Sequence, residues 1–84
     1  MPLMSGEVLK IDDIYVPVKR RASLNEVTVN LIAESILEEG QKTAIQVRED
    51  GQRYVLVEGL HRLEACRSLG EDTIIGIIVR ARRR

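Results

Sequence analysis

Residues 55–70 read VLVEGLHRLEACRSLG, and the residues in this stretch most able to do chemistry sit around one glycine. An apolar, strand-like run ends at Glu58, Gly59 follows, and an amphipathic helical pattern begins at once, which puts His61 and Arg62 in the first turn of a helix. The start of a helix carries backbone N–H groups without intrahelical acceptors and the positive end of the macrodipole. Glycine there lets an anion come close to the backbone, His61 can donate hydrogen bonds, and Arg62 can grip two phosphate oxygens with its planar fork. The chemistry this points to is phosphate binding. The structural alternative is that Gly59 only makes the strand-to-helix turn. Glu58 can act as a base or meet a nucleotide hydroxyl or metal, although a strand-end carboxylate paired with a nearby arginine is the simpler reading.

Other residues bear on the same chemistry. Lys19, Arg20 and Arg21 form a basic run that can close over a phosphate or meet a nucleic-acid backbone. Lys42 and Thr43, after Gly40, offer an amine and a hydroxyl. Arg80, Arg82, Arg83 and Arg84 form a second basic block at the end of the sequence. Glu64 and Arg67 read as exposed helix residues. Cys66 stands midway between Leu63 and Leu69 on the packed face, so a buried thiol is expected. It is the sole cysteine, which excludes an internal disulfide and a cysteine metal cluster.

These side chains need a scaffold, and 84 residues suffice for one modest core. Apolar residues make up 44% and charged residues 31%, with zero formal net charge, a balance that excludes whole-chain disorder. Tyr15 and Tyr54 are the only aromatic residues, so the core is aliphatic. No apolar run reaches the roughly 18 residues of a membrane span, and no signal-peptide pattern opens the chain. A cytoplasmic protein with no membrane partner is the default expectation.

The order of elements follows from periodicity. Alternation over 7–11 predicts a strand, broken by Asp12, Asp13 and Pro17. Residues 16–23 read as a basic loop. Ser23 or Asn25 can cap a helix over 25–39, with Leu24, Val27, Leu31, Ile32 and Ile36 at helical spacing and Gly40 as its stop. Strands are predicted over 44–49, with Ile45 and Val47 inward, and over 53–58, joined by the Asp50-Gly51 turn. A second helix over 60–69 ends at Gly70, and a last strand covers 73–79. The expected fold is α+β: one domain over 1–84 with its core at 7–80, in β-α-β-β-α-β order, with a mixed sheet and two helices.

The segment 57–70 resembles the ParB N-terminal and sulfiredoxin superfamily, whose pattern is a strand, then G-x-[HR]-R-x-x-A, then a short helix closed by Leu-Gly. Gly59, His61, Arg62 and Ala65 match it. The block LIAESI at 31–36, Glu39-Gly40 and IQVR at 45–48 resemble the upstream motif. Pro17 with Lys19, Arg20 and Arg21 resembles the basic loop, and 73–79 the closing strand. This resemblance implies a compact domain whose glycine-basic segment binds the phosphates of a nucleoside triphosphate with Mg²⁺: CTP in ParB proteins, where it drives a DNA-clamping change, and ATP in sulfiredoxins. A related branch phosphorylates free serine. Two departures matter. Leu60 stands where sulfiredoxins carry their catalytic cysteine, which speaks against that chemistry. Thr43 and Ala44 stand where ParB proteins have a Gln-Pro pair.

The expected function is therefore a ParB-like nucleotide-phosphate-binding domain serving DNA partition or transcriptional regulation, without a helix-turn-helix. Gly59, His61, Arg62, Lys19, Arg20, Arg21 and Thr43 are the binding candidates, with Glu58 the one catalytic candidate and no metal ligands. DNA is an expected partner through the basic loop and the C-terminal arginines, and a homodimer could cover an exposed strand edge. The alternative is a small nucleotide-dependent kinase or phosphohydrolase, which needs a carboxylate base near the phosphates.

Overall fold

The structure, a computed structural model, describes residues 6–80. The elements are β1 (Glu7–Lys10), a single 3-10 turn (Ile11–Asp13), β2 (Ile14–Tyr15), α1 (Val18–Arg21), α2 (Glu26–Glu39), β3 (Ile45–Asp50), β4 (Arg53–Glu58), α3 (Leu60–Ser68) and β5 (Thr73–Ile78). The α+β expectation and the mixed sheet hold. The count needs correction: among the described residues there are five strands and three helices where the pattern predicted four strands and two helices. The missed strand β2 has only two residues, too few to show alternation. The missed helix α1 is a single turn that opens after Pro17, whose ring pre-sets φ near the helical value. The basic run at 19–21 is therefore helical rather than a loop.

The sheet order is β1-β5-β3-β4-β2. β1 runs antiparallel to β5, β5 parallel to β3, β3 antiparallel to β4, and β4 parallel to β2. The β3–β4 hairpin turns at Gly51, whose φ of 65° suits glycine. Register in this hairpin shifts near its far end: Val47 pairs with Leu56 but Gln46 pairs with Glu58. Val57 is thus left unopposed, as in a β-bulge.

One sheet face is buried. Leu9, Ile14, Ile45, Val47, Leu56 and Ile74 pack there with Ile11, Val16 and, from α3, Leu60, Leu63 and Cys66. All are aliphatic except the thiol, as the composition requires. α2 lies on α3 rather than on the sheet, through Val29, Ala33 and Ala65, flanked by Ile32, Ile36 and Leu69. The buried stripe of α2 is therefore Val29, Ile32, Ala33 and Ile36. Leu24, Val27 and Leu31, expected inside, are exposed, the last two by 68% and 62%. Apolar residues surround this helix, so periodicity alone leaves its rotation open, and small Ala33 facing Ala65 selects it by close approach.

Gly76, on β5 between β1 and β3, lies close against the core. A Cβ there would lie 2.7 Å from Leu9 Cδ1 and 3.1 Å from Ile45 Cγ1. Gly76→Ala is expected to destabilise the domain by about 1–3 kcal/mol through overpacking, read as a lower denaturation midpoint; an unchanged midpoint would show that Leu9 and Ile45 can yield. Cys66 is 3% exposed, as expected of a packed thiol. Burial, then the Glu71 carboxylate, push its pKa up, while Arg62 partly opposes them. The folded state therefore favours the neutral thiol: its contribution to stability is full below the ordinary thiol range and is lost as pH rises through the raised value. Cys66→Ser should cost about 1–3 kcal/mol, and Cys66→Ala should flatten the alkaline loss of stability; an identical alkaline profile would remove Cys66 as its cause.

Candidate functional site

The chain turns sharply from β4 into α3 at Gly59, with φ 107° and ψ 32°, a left-handed conformation. A Cβ at Gly59 would lie 2.7 Å from Ile45 Cγ2 and 3.2 Å from its Cα. The missing side chain faces the core, so glycine is required by the turn and by Ile45 whatever binds outside. α3 starts without a side-chain cap, and its first intrahelical bond is Leu63 N–H to Gly59 O at 2.9 Å. The N–H groups of Leu60, His61 and Arg62 thus have no acceptor within the helix.

An open pocket of about 250 Å³ lies at this helix start, lined by Arg20, Ser23, Ile32, Glu58, Gly59, Leu60, His61 and Arg62. Arg20 reaches it from α1. Its Nη1 donates to Glu58 Oε1 at 3.2 Å, and its Nη2 donates to the Val57 carbonyl. Val57 is the residue the register shift leaves unopposed, and its carbonyl has the guanidinium as partner. Glu58 is accordingly a strand-end carboxylate with a cationic partner. Arg62 is half-buried and, among the described residues, its side chain has neither an ion-pair nor a hydrogen-bond partner. Its fork is the unengaged cation of the pocket.

One ring nitrogen of His61 is already engaged as an acceptor. Its Nε2 accepts the backbone N–H of Asn25 at 3.0 Å. Asn25 is the N-cap of α2, and its own Oδ1 accepts from Thr28 N–H at 3.1 Å. The helix start predicted from Ser23 or Asn25 is thus capped by Asn25, and Ser23 instead donates its hydroxyl to Arg20 O at 2.8 Å.

Not every candidate converges. Lys19 is exposed and does not line the pocket. Arg21 lines a neighbouring hollow with Leu24, Leu60, Glu64 and Arg67. Thr43 is exposed before β3, and its carbonyl accepts from Gln41. Arg82, Arg83 and Arg84 lie outside the described residues, while Arg80 is exposed. Sequence reasoning missed Ser23 and Ile32 as pocket residues. It also missed Gln41, whose side-chain amide donates to Ile75 O and accepts from Ile75 N, standing in for a strand partner of β5. Among the described residues no group of three or more His, Cys, Asp or Glu could hold a metal ion, and no helix is long and apolar enough to cross a membrane.

A comparison with curated proteins finds no match. Solved structures share the fold. Sulfiredoxin from Arabidopsis thaliana is 31% identical, with a TM-score of 0.80 over 89% of this chain and 84% of that one. The C-terminally truncated chromosome-partitioning protein ParB from Caulobacter crescentus, complexed with CTP-γ-S, is 22% identical, with a TM-score of 0.79 over 93% of this chain and 46% of that one. Its complex with the centromeric parS site gives a TM-score of 0.76 at 22% identity, covering 88% and 40%. A mutant free serine kinase in complex with ADP is 17% identical, with a TM-score of 0.76 over 88% of this chain and 30% of that one. This chain spans less than half the length of these ParB and kinase chains. The sequence also matches the family described as ParB N-terminal domain over residues 4–84, nearly its whole length. The chain belongs to the ParB N-terminal domain family.

Proposed function

We propose that this domain binds the phosphates of a nucleoside triphosphate at the start of α3 and serves DNA partition or transcriptional regulation. The observation that carries the reading is the unengaged Arg62 fork beside three N–H groups without helical acceptors in one pocket. An anion there gains charge-assisted hydrogen bonds from Arg62 and fixed N–H donors at the positive helix end. Arg20 can add a second cation by leaving Glu58. The fold shared with a ParB complexed with a CTP analogue and a kinase complexed with ADP supports a nucleotide as the source of the phosphates, CTP or ATP. Mg²⁺ fits this pocket only as an ion carried by the phosphates, because Glu58 is the one carboxylate lining it.

A second reading, a small nucleotide-dependent kinase or phosphohydrolase, rests on Glu58. Its carboxylate is 65% exposed but engaged by Arg20, so it becomes available as a base only if Arg20 moves to the ligand. Sulfiredoxin chemistry is not proposed, since Leu60 carries no thiol and packs into the core.

Titration calorimetry with CTP, ATP and GTP in Mg²⁺ tests the site. One nucleotide is expected to bind, and Arg62→Ala should weaken it at least about tenfold, the loss of a charge-assisted hydrogen bond of roughly 1.5–3 kcal/mol, with unchanged thermal melting. Equal affinity in the variant would remove Arg62 from the site. Turnover of the bound nucleotide that is lost in Glu58→Gln would favour the enzyme reading. DNA is proposed as a second partner through Lys19, Arg20 and Arg21 on α1. Binding should weaken steeply with salt, and replacing Lys19 and Arg21 with alanine should reduce the slope of log affinity against log salt by about 2; an unaltered slope would place DNA elsewhere.

A further inference from the structure

His61 enters the pocket with one ring nitrogen already committed. Nε2 accepts Asn25 N–H at 3.0 Å, and an accepting nitrogen carries no proton. The neutral ring therefore holds its proton on Nδ1, which is the one donor it can offer a ligand. The bond joins residues 36 apart in sequence and ties the first turn of α3 to the N-cap of α2. The charged groups lining the same pocket are Arg20 from α1, Glu58 from β4 and Arg62 from α3, while α2 contributes apolar Ile32. Arg20 and Glu58 already face each other.

We propose that the backbone N–H of Asn25 is a positioning group for this site, and that His61 relays occupancy of the pocket to the start of α2; the relay rests on the phosphate-binding reading above. In the neutral ring Nδ1–H donates to the anion while Nε2 holds Asn25. An anion accepting from Nδ1–H pushes electron density onto the far nitrogen, so Nε2 becomes a better acceptor and the bond to Asn25 tightens. Protonation of Nε2 acts in the opposite sense. The imidazolium has two donors and no acceptor, so Asn25 N–H meets another N–H and α2 loses that tether. Thr28 N–H, held by the Asn25 side chain, is not part of the relay.

The test is NMR on the full chain, first without ligand. The neutral ring of His61 is expected as the Nδ1–H tautomer. On acidification the Asn25 amide should shift together with ring protonation, and its hydrogen exchange, corrected for intrinsic pH dependence, should accelerate about fivefold, the equivalent of one lost hydrogen bond. His61→Ala should show the faster corrected exchange at every pH. An Nε2–H tautomer, or an Asn25 amide that ignores the ring, overturns the proposal. Inorganic tripolyphosphate is then added. Binding should slow Asn25 exchange and move its amide proton downfield. Binding that leaves Asn25 unmoved overturns the relay alone. Absence of binding defeats the phosphate reading, and with it the relay, while the ligand-free tautomer still reports whether the ring contact is real.

Discussion

The contact between Gly59 and Ile45 governs this domain. β4 must end and α3 must begin within one residue, and the chain reverses there through a positive φ with its backbone pressed against the most central strand. Because Ile45 is 1% exposed and fixed in the core, the start of α3 has one available position over the sheet. Leu60 and Leu63 then fall into the core from that helix, and the N–H groups of Leu60, His61 and Arg62 have no acceptor within it. The same packing that stabilises the fold thus sets where these donors lie.

The wall opposite α3 is held by two polar tethers of different kinds. Arg20 fastens α1 to the bulged end of β4 through a carbonyl and a carboxylate, and the Asn25 N–H fastens the start of α2 to His61. Between them the segment carries Ser23 over the pocket. α1 is one turn long and buries no residue, so its position depends on these contacts more than on helix propensity. The carbonyl of the unopposed Val57 matters here because the second guanidinium nitrogen uses it. Without that acceptor Arg20 would have only an exposed ion pair, an interaction worth about 0–1 kcal/mol.

Much of this architecture was legible in the sequence, and for identifiable reasons. The continuous apolar run at 54–57 gives way across Glu58 and Gly59 to a helical pattern, and the structure has its boundary there. Ile45 and Val47 alternate in the sequence and are both buried. What stayed hidden depends on tertiary contacts. β2 exists because β4 pairs with it, not because two residues favour a strand. The rotation of α2 was set by Ala33 against Ala65, small residues that carry little weight in a hydrophobic pattern. In the candidate site, types and spacing located Gly59, His61 and Arg62, but the acceptor role of Nε2 required knowing that Asn25 lies beside it. Thr43, chosen as a polar residue after a glycine, sits elsewhere for lack of any such constraint.

The two arginines of the pocket are chemically alike and energetically different. To reach a ligand, Arg20 must release a carbonyl and a carboxylate, and its departure leaves Glu58 facing the incoming negative charge. Releasing these contacts, one exposed and one half-buried, costs about 0.5–1.5 kcal/mol for each hydrogen bond. Arg62 releases nothing of this kind among the described residues. It sits on the same helix as the N–H groups without helical acceptors, and its half-burial lowers the rotamer entropy that a ligand contact would still cost. The pocket is therefore asymmetric: Arg62 is unengaged among the described residues, whereas Arg20 is held by Glu58. If the proposed phosphate ligand binds here, one carrying more negative charge would draw Arg20 across more readily, so the proposal implies a preference for polyphosphate over a single phosphate group.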